Sequence, residues 1–208
     1  MRSIQKINPD TIANAMSYEA YRALIQNRID NNQSTGTNHS PSMVEYTRMN
    51  EQRMVRLDRS TKKKLPNTSE QIGTIKDPQI WLVLTEGWCG DAAQTIPIMV
   101  KIAEENSNIE IKFLLRDKNL EVMDEFLTDG SRSIPKLAIL DKNTLDVLGS
   151  WGPRPAELQE IFLAEKAKPT FNYPDVLKIL QLWYNKDKGV STQSEIANLL
   201  SSIVGKQE

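Results

Sequence analysis

The apolar positions of this chain follow helical spacing near both ends and form shorter runs in the middle. Helical spacing predicts helices over about 17–31 and 42–61 on the N-terminal side, and over 175–185 and 192–203 on the C-terminal side. The polar stretch 31–41 predicts a loop between the first two helices. The chain is therefore expected to carry helical segments on either side of a differently built middle.

The middle of the chain, residues 71–168, alternates short apolar runs with helical patterns. The predicted order β-α-β-α-β-β-α consists of a strand at 80–84, a helix at 91–106, a strand at 109–115, a short helix at 121–127, strands at 136–140 and 145–150, and a helix at 154–166 started by Pro155. This order predicts an α/β fold. We expect an N-terminal helical extension over 1–70, a core over 71–168, and C-terminal helices over 169–208 that pack on the core.

Two features of the extensions have alternative interpretations. The apolar stripe over 176–184 is too wide to be left in water, so we expect it to pack on the core, with partner binding as the alternative. The basic run Lys62-Lys63-Lys64 is interpreted as a solvated helix end, and otherwise as a basic docking patch.

Composition narrows the classes of function. The chain is 39% hydrophobic and 25% charged, as is ordinary for a globular protein, and its net charge of -1 disfavours nucleic acid as a partner. No stretch reaches the ~20 apolar residues of a membrane span and no apolar run follows the start, so we expect a cytoplasmic protein without membrane contact. The only histidine, His39, lies in a polar stretch far from any carboxylate cluster, which leaves no evident metal site.

The only cysteine, Cys89, is the centre of the candidate chemistry. It cannot form an internal disulfide or a Cys-based zinc site, and no cofactor is expected, so it must act with a partner. Cys89 follows a predicted strand and directly precedes a predicted helix, where backbone N–H groups and the helix dipole favour a thiolate. Gly90 permits close backbone approach and Trp88 offers an apolar wall. Without this context, Cys89 would be interpreted as a small buried hydrophobe.

The segment Trp88-Cys89-Gly90-Asp91-Ala92 resembles the W-C-G-P-C active-site motif of the thioredoxin superfamily, with Cys89 at the position of the attacking cysteine. Three further landmarks fall at compatible spacing: Pro97 in the following helix, Pro135 before a strand, and Gly152 between the last strand and the last helix of the core. The resemblance covers 71–168, about half of the chain.

This resemblance implies a thioredoxin-like fold, with a central mixed sheet flanked by helices. It also implies that Pro135 is a cis proline lying against Cys89, and that the backbone of Ile134 pairs with bound substrate. Longer similarity over GSRSIPKLAILD, SWGPRP and YTRMNEQRM resembles a bacterial thioredoxin-like branch that carries a W-C-G-D motif and an N-terminal helical extension.

Two departures from the family pattern limit the expected chemistry. Ala92 replaces the second cysteine, which excludes dithiol turnover, and Val83 replaces the buried acid of the family. Glu86, the nearest upstream acid, and Asp91 are the possible acid–base residues. Asp91 suits the first turn of a helix, but its negative charge opposes thiolate formation.

Arginines near the motif are candidates for stabilising a thiolate or holding the carboxylate of a small thiol. Arg132 takes this role if the proline loop packs as in thioredoxins, while Arg116 and Arg154 are weaker candidates. The alternative for each is a surface arginine that pairs with a neighbouring acid.

Three functions remain open at this point. In the first, Cys89 forms a mixed disulfide with a protein disulfide or a low-molecular-weight thiol and is released by an external thiol. Ile134 and Pro135 are then the substrate platform, Trp88 one wall, and Arg132 an electrostatic support. The second is a redox-inactive module that holds a peptide or protein in the same groove. The third is peroxide reduction through a sulfenic acid at Cys89.

Overall fold

The computed structural model describes residues 6–60 and 69–205. The helices are α1 (Pro9–Ala13), α2 (Tyr18–Asp30), α3 (Pro41–Ser60), α4 (Ser69–Thr74), α5 (Gly90–Ala103), α6 (Leu120–Met123), α7 (Ala156–Lys166), α8 (Tyr173–Asp187) and α9 (Val190–Val204). The strands are β1 (Gln79–Thr85), β2 (Ile109–Leu115), β3 (Lys136–Asp141) and β4 (Val147–Trp151). The basic run Lys62-Lys63-Lys64 and the expected end of the second helix at residue 61 lie outside the described residues.

The strands form one four-stranded sheet in the order β2-β1-β3-β4. β1 runs parallel to β2 and antiparallel to β3, and β3 runs antiparallel to β4. All seven residues of β1 are buried, because both of its edges are paired and helices cover the sheet. The predicted α/β fold with a central mixed sheet flanked by helices is confirmed.

The N-terminal helices are tied to the sheet and to each other. α2 begins after Ser17, whose Oγ accepts a hydrogen bond from the Ala20 N–H at 3.2 Å. From α2, the fully buried Tyr21 stacks on Phe113 of β2 with ring centroids 5.2 Å apart. Arg22 joins α2 to α3 through ion pairs with Glu51 and Asp58. α3 in turn packs against α5, so the helical extension lies beside the helix that follows Cys89.

The C-terminal helices cover the other side of α5. Three residues of the apolar stripe in α8 are buried, Val176, Leu180 and Tyr184, and they pack with Leu158 of α7. α9 packs on β4, α4 and α5. The start of α5 is thus enclosed between helices from both ends of the chain.

Element boundaries differ from the predicted ones where turn geometry intervenes. α7 begins at Ala156 rather than at residue 154, because Arg154 precedes a proline, which disfavours helical backbone, and Pro155 itself has an extended ψ of 145°. β4 begins at Val147 rather than at residue 145, since Leu145 has a φ of 61° in the turn. The short helices α1 and α4 were not predicted.

The short helix predicted over 121–127 is split in the structure. It consists of α6 and a following 3₁₀ turn over Asp124–Phe126.

Among residues 6–60 and 69–205, no helix is both long enough and apolar enough to cross a membrane.

Candidate functional site

Cys89 lies at the junction of β1 and α5, where it is the residue that caps the start of the helix. Its N–H donates to the Glu86 carbonyl at 3.1 Å, which closes the turn after β1. Its thiol donates to the carbonyl oxygen of Ile134 at 3.3 Å, and the Ile134–Pro135 peptide bond is cis. The structure therefore brings the sulfur and the proline loop together, as the sequence resemblance implied.

Burial governs the protonation state of this thiol. Only 8% of the residue is exposed, and burial, followed by the charge of Asp91, raises the pKa of Cys89 to about 12. Backbone N–H groups of α5 and the Arg154 guanidinium act in the opposite direction. The helix N-terminus therefore favours the thiolate as expected, but burial outweighs it, and the resting thiol is protonated.

Asp91 sits beside the thiol in a buried ion pair. Its Oδ2 accepts hydrogen bonds from Arg154 Nη2 at 2.6 Å and Nε at 3.1 Å, and its Oδ1 accepts one from the Tyr184 hydroxyl at 2.9 Å. The Arg154 guanidinium also lies over the ring of Phe162, 4.4 Å from its centroid. Asp91 thus links the start of α5 to α8 and to the turn before α7.

Glu86, the other possible acid–base residue, is fully buried on the N-terminal side of the site. One carboxylate oxygen accepts a hydrogen bond from the Thr35 hydroxyl, and the other accepts one from the Asp117 N–H at 3.0 Å. Burial raises the pKa of Glu86 above its ordinary value. Its carboxylate joins the loop before α3 to the end of β2.

The three arginines named from the sequence have different partners around Cys89. Arg154 contacts Asp91 directly, whereas Arg132 is bound at the surface by Asp124, with Nε and Nη2 donating at 2.6 and 2.8 Å. Arg116 lies over the Trp88 ring, 4.8 Å from its centroid, and donates to the Arg132 carbonyl at 3.2 Å. Arg154, a weaker candidate from the sequence, is therefore the arginine held at the buried end of the site.

Two openings meet at Cys89. The first is a cavity of about 220 Å³ enclosed by α3, the start of α5 and α8. The second is a wider groove of about 830 Å³ that runs past Trp88 and Ile134 along the proline loop to α7. Within the described residues, no cluster of His, Cys, Asp and Glu side chains could hold a metal ion.

The model of the family described as Thioredoxin matches residues 36–168. The chain belongs to the thioredoxin family. The match starts in the loop before α3 and ends just after α7, so it includes α3, the whole sheet, Cys89 and the loop before Pro135, but not α8.

Two solved structures share the fold of this thioredoxin-family chain. PA1234, a protein of unknown function from Pseudomonas aeruginosa, is 16% identical with a TM-score of 0.55, over 92% of this chain and 99% of that one. An HIV epitope-scaffold is 17% identical with a TM-score of 0.52, over 91% of this chain and 99% of that one. No curated protein matches the chain significantly. At these identities the likeness establishes the fold.

The thioredoxin landmarks occupy their expected places in the fold. Pro97 lies inside α5, and Gly152 follows β4 with a φ of +112°, where a Cβ atom would come within 2.3 Å of the Pro135 carbonyl oxygen. Ala92 and Val83, which stand where the second cysteine and the buried acid of the family are expected, are both buried. The thiol therefore has an apolar methyl and an isopropyl group in place of those two functional groups.

Several residues of the site escaped the sequence analysis because they come from the helices and loops that enclose it. These residues are Thr35, Asn50, Arg53, Tyr173 and Tyr184. The only available signal was the YTRMNEQRM helix, which contains Asn50 and Arg53 and was linked to a family branch. His39, which the sequence places in the polar stretch before α3, accepts a hydrogen bond from the Ser34 N–H at 3.3 Å.

Proposed function

We propose that this thioredoxin-family protein is a monothiol thiol–disulfide exchange protein that acts through Cys89. The main support is the position of the Cys89 sulfur, which lies 3.3 Å from the carbonyl oxygen of Ile134, next to the cis peptide bond of Pro135. Cys89 also lines the groove that runs along the proline loop. An extended substrate paired with this backbone brings its disulfide to the sulfur. The presence of a single cysteine accords with a monothiol.

The exchange proceeds in two balanced steps. The thiol proton leaves to a solvent base, and the thiolate attacks one sulfur of a disulfide, which breaks the disulfide bond and releases the other half as a thiolate. An external thiolate then attacks the mixed disulfide and releases Cys89 as a thiolate. Because Ala92 cannot supply a second thiol, the resolving thiol must come from another molecule, and a low-molecular-weight thiol is the proposed one.

Substrate binding itself supports ionisation in this proposal. The resting thiol uses the Ile134 carbonyl as its hydrogen-bond acceptor. A substrate N–H that pairs with this carbonyl displaces the thiol, and the loss of a bond to the protonated form lowers the pKa of Cys89. The Trp88 ring and Gly90 border the approaching disulfide, and Arg132 lies at the rim of the groove, where its charge is shared with Asp124.

Two carboxylates are the candidate acid–base groups of the exchange reaction. Asp91 and Glu86 are the carboxylates nearest in sequence to the thiol, and Asp91 is the one whose charge acts on its pKa. The substrate is a protein disulfide or a low-molecular-weight disulfide. We place the protein in the cytoplasm and in a bacterial branch with the W-C-G-D motif.

A redox-inactive binding module is the second candidate function. The observation that favours it is the burial of the Cys89 thiol, which raises its pKa to about 12 and so disfavours the reactive thiolate. In this alternative the groove holds a peptide or protein and Cys89 contributes packing and its hydrogen bond to Ile134.

The two candidates are separated by trapping a mixed disulfide. The protein is incubated with oxidised glutathione or cystamine between about pH 6 and 9, around the ~8.5 of a free thiol, and its mass is measured. Exchange predicts an adduct at Cys89 that a second thiol removes, and no adduct on Cys89→Ser. Absence of any adduct across this range refutes the exchange proposal, and unchanged partner capture by Cys89→Ser favours the binding module. Consumption of hydrogen peroxide by the wild type but not by Cys89→Ser would identify sulfenic acid chemistry.

A further inference from the structure

Arg53 of α3 is held at the cavity beside Cys89. Its Nη1 donates to the Oδ1 of Asn50 at 2.7 Å, and the Nδ2 of the buried Asn50 donates to the Gly87 carbonyl at 3.1 Å. A Cβ atom built on Gly90 would lie 3.9 Å from Arg53 Nη1. Asn50 thus fixes the guanidinium over the turn that carries the thiol.

This guanidinium has no carboxylate partner among the described residues. The other arginines around Cys89 are paired with acids: Arg154 with Asp91, Arg116 with Asp117, and Arg132 with Asp124. Arg53 is half-buried, and burial together with the nearby Arg56 lowers its pKa. A partly buried cation without an anion is costly, so an anionic ligand would offset this cost.

The walls of the cavity are mostly apolar. Met43, Tyr46 and Met49 of α3 face Leu177 and Leu180 of α8 across about 220 Å³. Methionine side chains adapt their shape to a ligand. The cavity is smaller than the ~300–1,000 Å³ of pockets for drug-sized ligands, which favours a ligand of only a few heavy atoms. Since Asp91 is neutralised by Arg154, the unpaired charge of the cavity is the single positive charge of Arg53.

We propose that this cavity binds small disulfides and thiols that carry a carboxylate, with Arg53 as the carboxylate anchor. The inference rests on the proposed function for the exchange step and adds the class of substrate. The carboxylate pairs with Arg53, the apolar chain lies between α3 and α8, and the nearer sulfur of the disulfide meets Cys89. Attack by the thiolate leaves the carboxylate-bearing half on Cys89 and expels the other half as a thiolate.

Exchange rates with three small disulfides of similar length test this assignment. The probes are 3,3′-dithiodipropionate, 2-hydroxyethyl disulfide and cystamine, which are anionic, neutral and cationic. Adduct formation at Cys89 is followed by intact mass, and each rate is divided by that of the same probe with N-acetylcysteine amide. We expect the anionic probe to exceed the neutral one by about tenfold, and cystamine to be the slowest. Arg53→Gln should bring the ratio of the anionic to the neutral probe towards one.

Arg56→Gln is the matched control, because it removes the same charge one turn along α3, where Arg56 borders a different pocket. This variant should keep the wild-type ratio. A ratio near one in the wild type, or an equal fall in both variants, overturns the carboxylate site while exchange itself still supports the proposed function.

Binding without exchange is measured separately with suberate, which matches dithiodipropionate in length but has no disulfide. Calorimetric titration of Cys89→Ser should show suberate binding that Arg53→Gln weakens by about tenfold. If no probe labels the wild type and suberate still binds through Arg53, the anion site stands and the exchange proposal fails. If suberate does not bind and no probe is preferred, the inference is wrong.

Discussion

Replacing Asp91 by asparagine removes the negative charge that, after burial, most raises the pKa of Cys89. At an effective dielectric constant of about 20, a unit charge about 6 Å from a thiol changes its pKa by about two units. We therefore expect Asp91→Asn to lower the pKa of Cys89 by about two units from its value of about 12. The unpaired Arg154 guanidinium acts in the same direction.

The same substitution should destabilise the fold, because Asp91 and Arg154 form an ion pair in which each side chain is only 10% exposed. Breaking such a buried pair costs about 3–5 kcal/mol. The asparagine amide has a single acceptor oxygen, so it cannot accept from both Arg154 and the Tyr184 hydroxyl as the two carboxylate oxygens do. Asp91→Asn is thus expected to be less stable and more reactive at once.

Reactivity is measured as the rate of iodoacetamide labelling between pH 7 and 10, and stability by urea unfolding. Each unit of lowered pKa raises the thiolate fraction tenfold but weakens its nucleophilicity, for a net gain of about threefold, so about tenfold faster labelling is expected at pH 8. Asp175→Asn is the matched control: its pair with Lys178 is exposed, so it should change stability by less than about 1 kcal/mol.

Labelling through transient unfolding must be separated from a true change in pKa. The wild type is therefore also labelled in urea at a concentration that lowers its unfolding free energy to that of Asp91→Asn. Equal rates for these two samples, with no shift of the pH profile, would show that the charge of Asp91 does not control the thiol and would refute the electrostatic assignment.

Three further predictions concern pH and backbone geometry. The folded thiol of Cys89 stays protonated from about pH 9 to about 12, whereas the unfolded thiol ionises over this range. Between about pH 9.5 and 10.5, the unfolding free energy of the wild type should therefore fall more steeply than that of Cys89→Ala, by up to about 1.4 kcal/mol per pH unit. The same pH dependence for both proteins in urea unfolding would contradict this. Burial raises the pKa of Glu86, so the contribution of its protonated carboxyl to the unfolding free energy is lost as the pH rises above its ordinary pKa near 4.5. The unfolding free energy of Glu86→Gln, relative to that of the wild type, should therefore be higher at pH 8 than at pH 5. The opposite trend in urea unfolding would exclude a raised pKa. Gly152→Ala should lower the unfolding free energy by at least about 2 kcal/mol, because its Cβ would meet the Pro135 carbonyl at a residue with positive φ. Gly73→Ala is the control: no atom lies within 4 Å of its Cβ position, so it should not lower the unfolding free energy. Equal unfolding curves for the two variants would contradict this.

The core of the fold was predictable from local sequence because its signals are local. The apolar run that became β1 and the helical pattern of α5 each specify their own structure through periodicity. Pro97, Pro135 and Gly152 mark positions that the family resemblance identifies, and the structure places Pro97 inside α5, Pro135 next to the Ile134 carbonyl that binds the Cys89 thiol, and Gly152 against Pro135. Short elements such as α1 carry too few residues for a periodic signal, and the start of α7 depended on the backbone of Pro155.

The surroundings of Cys89 were less predictable, since they depend on contacts between distant segments. Asn50 reaches Gly87 across 37 positions, and Tyr184 reaches Asp91 across 93. No sequence spacing indicates such contacts. The sequence therefore ranked Arg132 above Arg154, whereas packing placed Arg154 on Asp91 and left Arg132 with Asp124 at the surface.

The sequence by itself determined the position of the cysteine between a strand and a helix, the presence of a single thiol, and the proline that follows in the loop. The tertiary structure alone decided the state of that thiol. Ionisation depends on how much water and charge surround the sulfur, and helices from both ends of the chain set both quantities by enclosing Cys89 between α3 and α8. The same enclosure brought Arg53 to the cavity and so created the site on which the proposed substrate class rests.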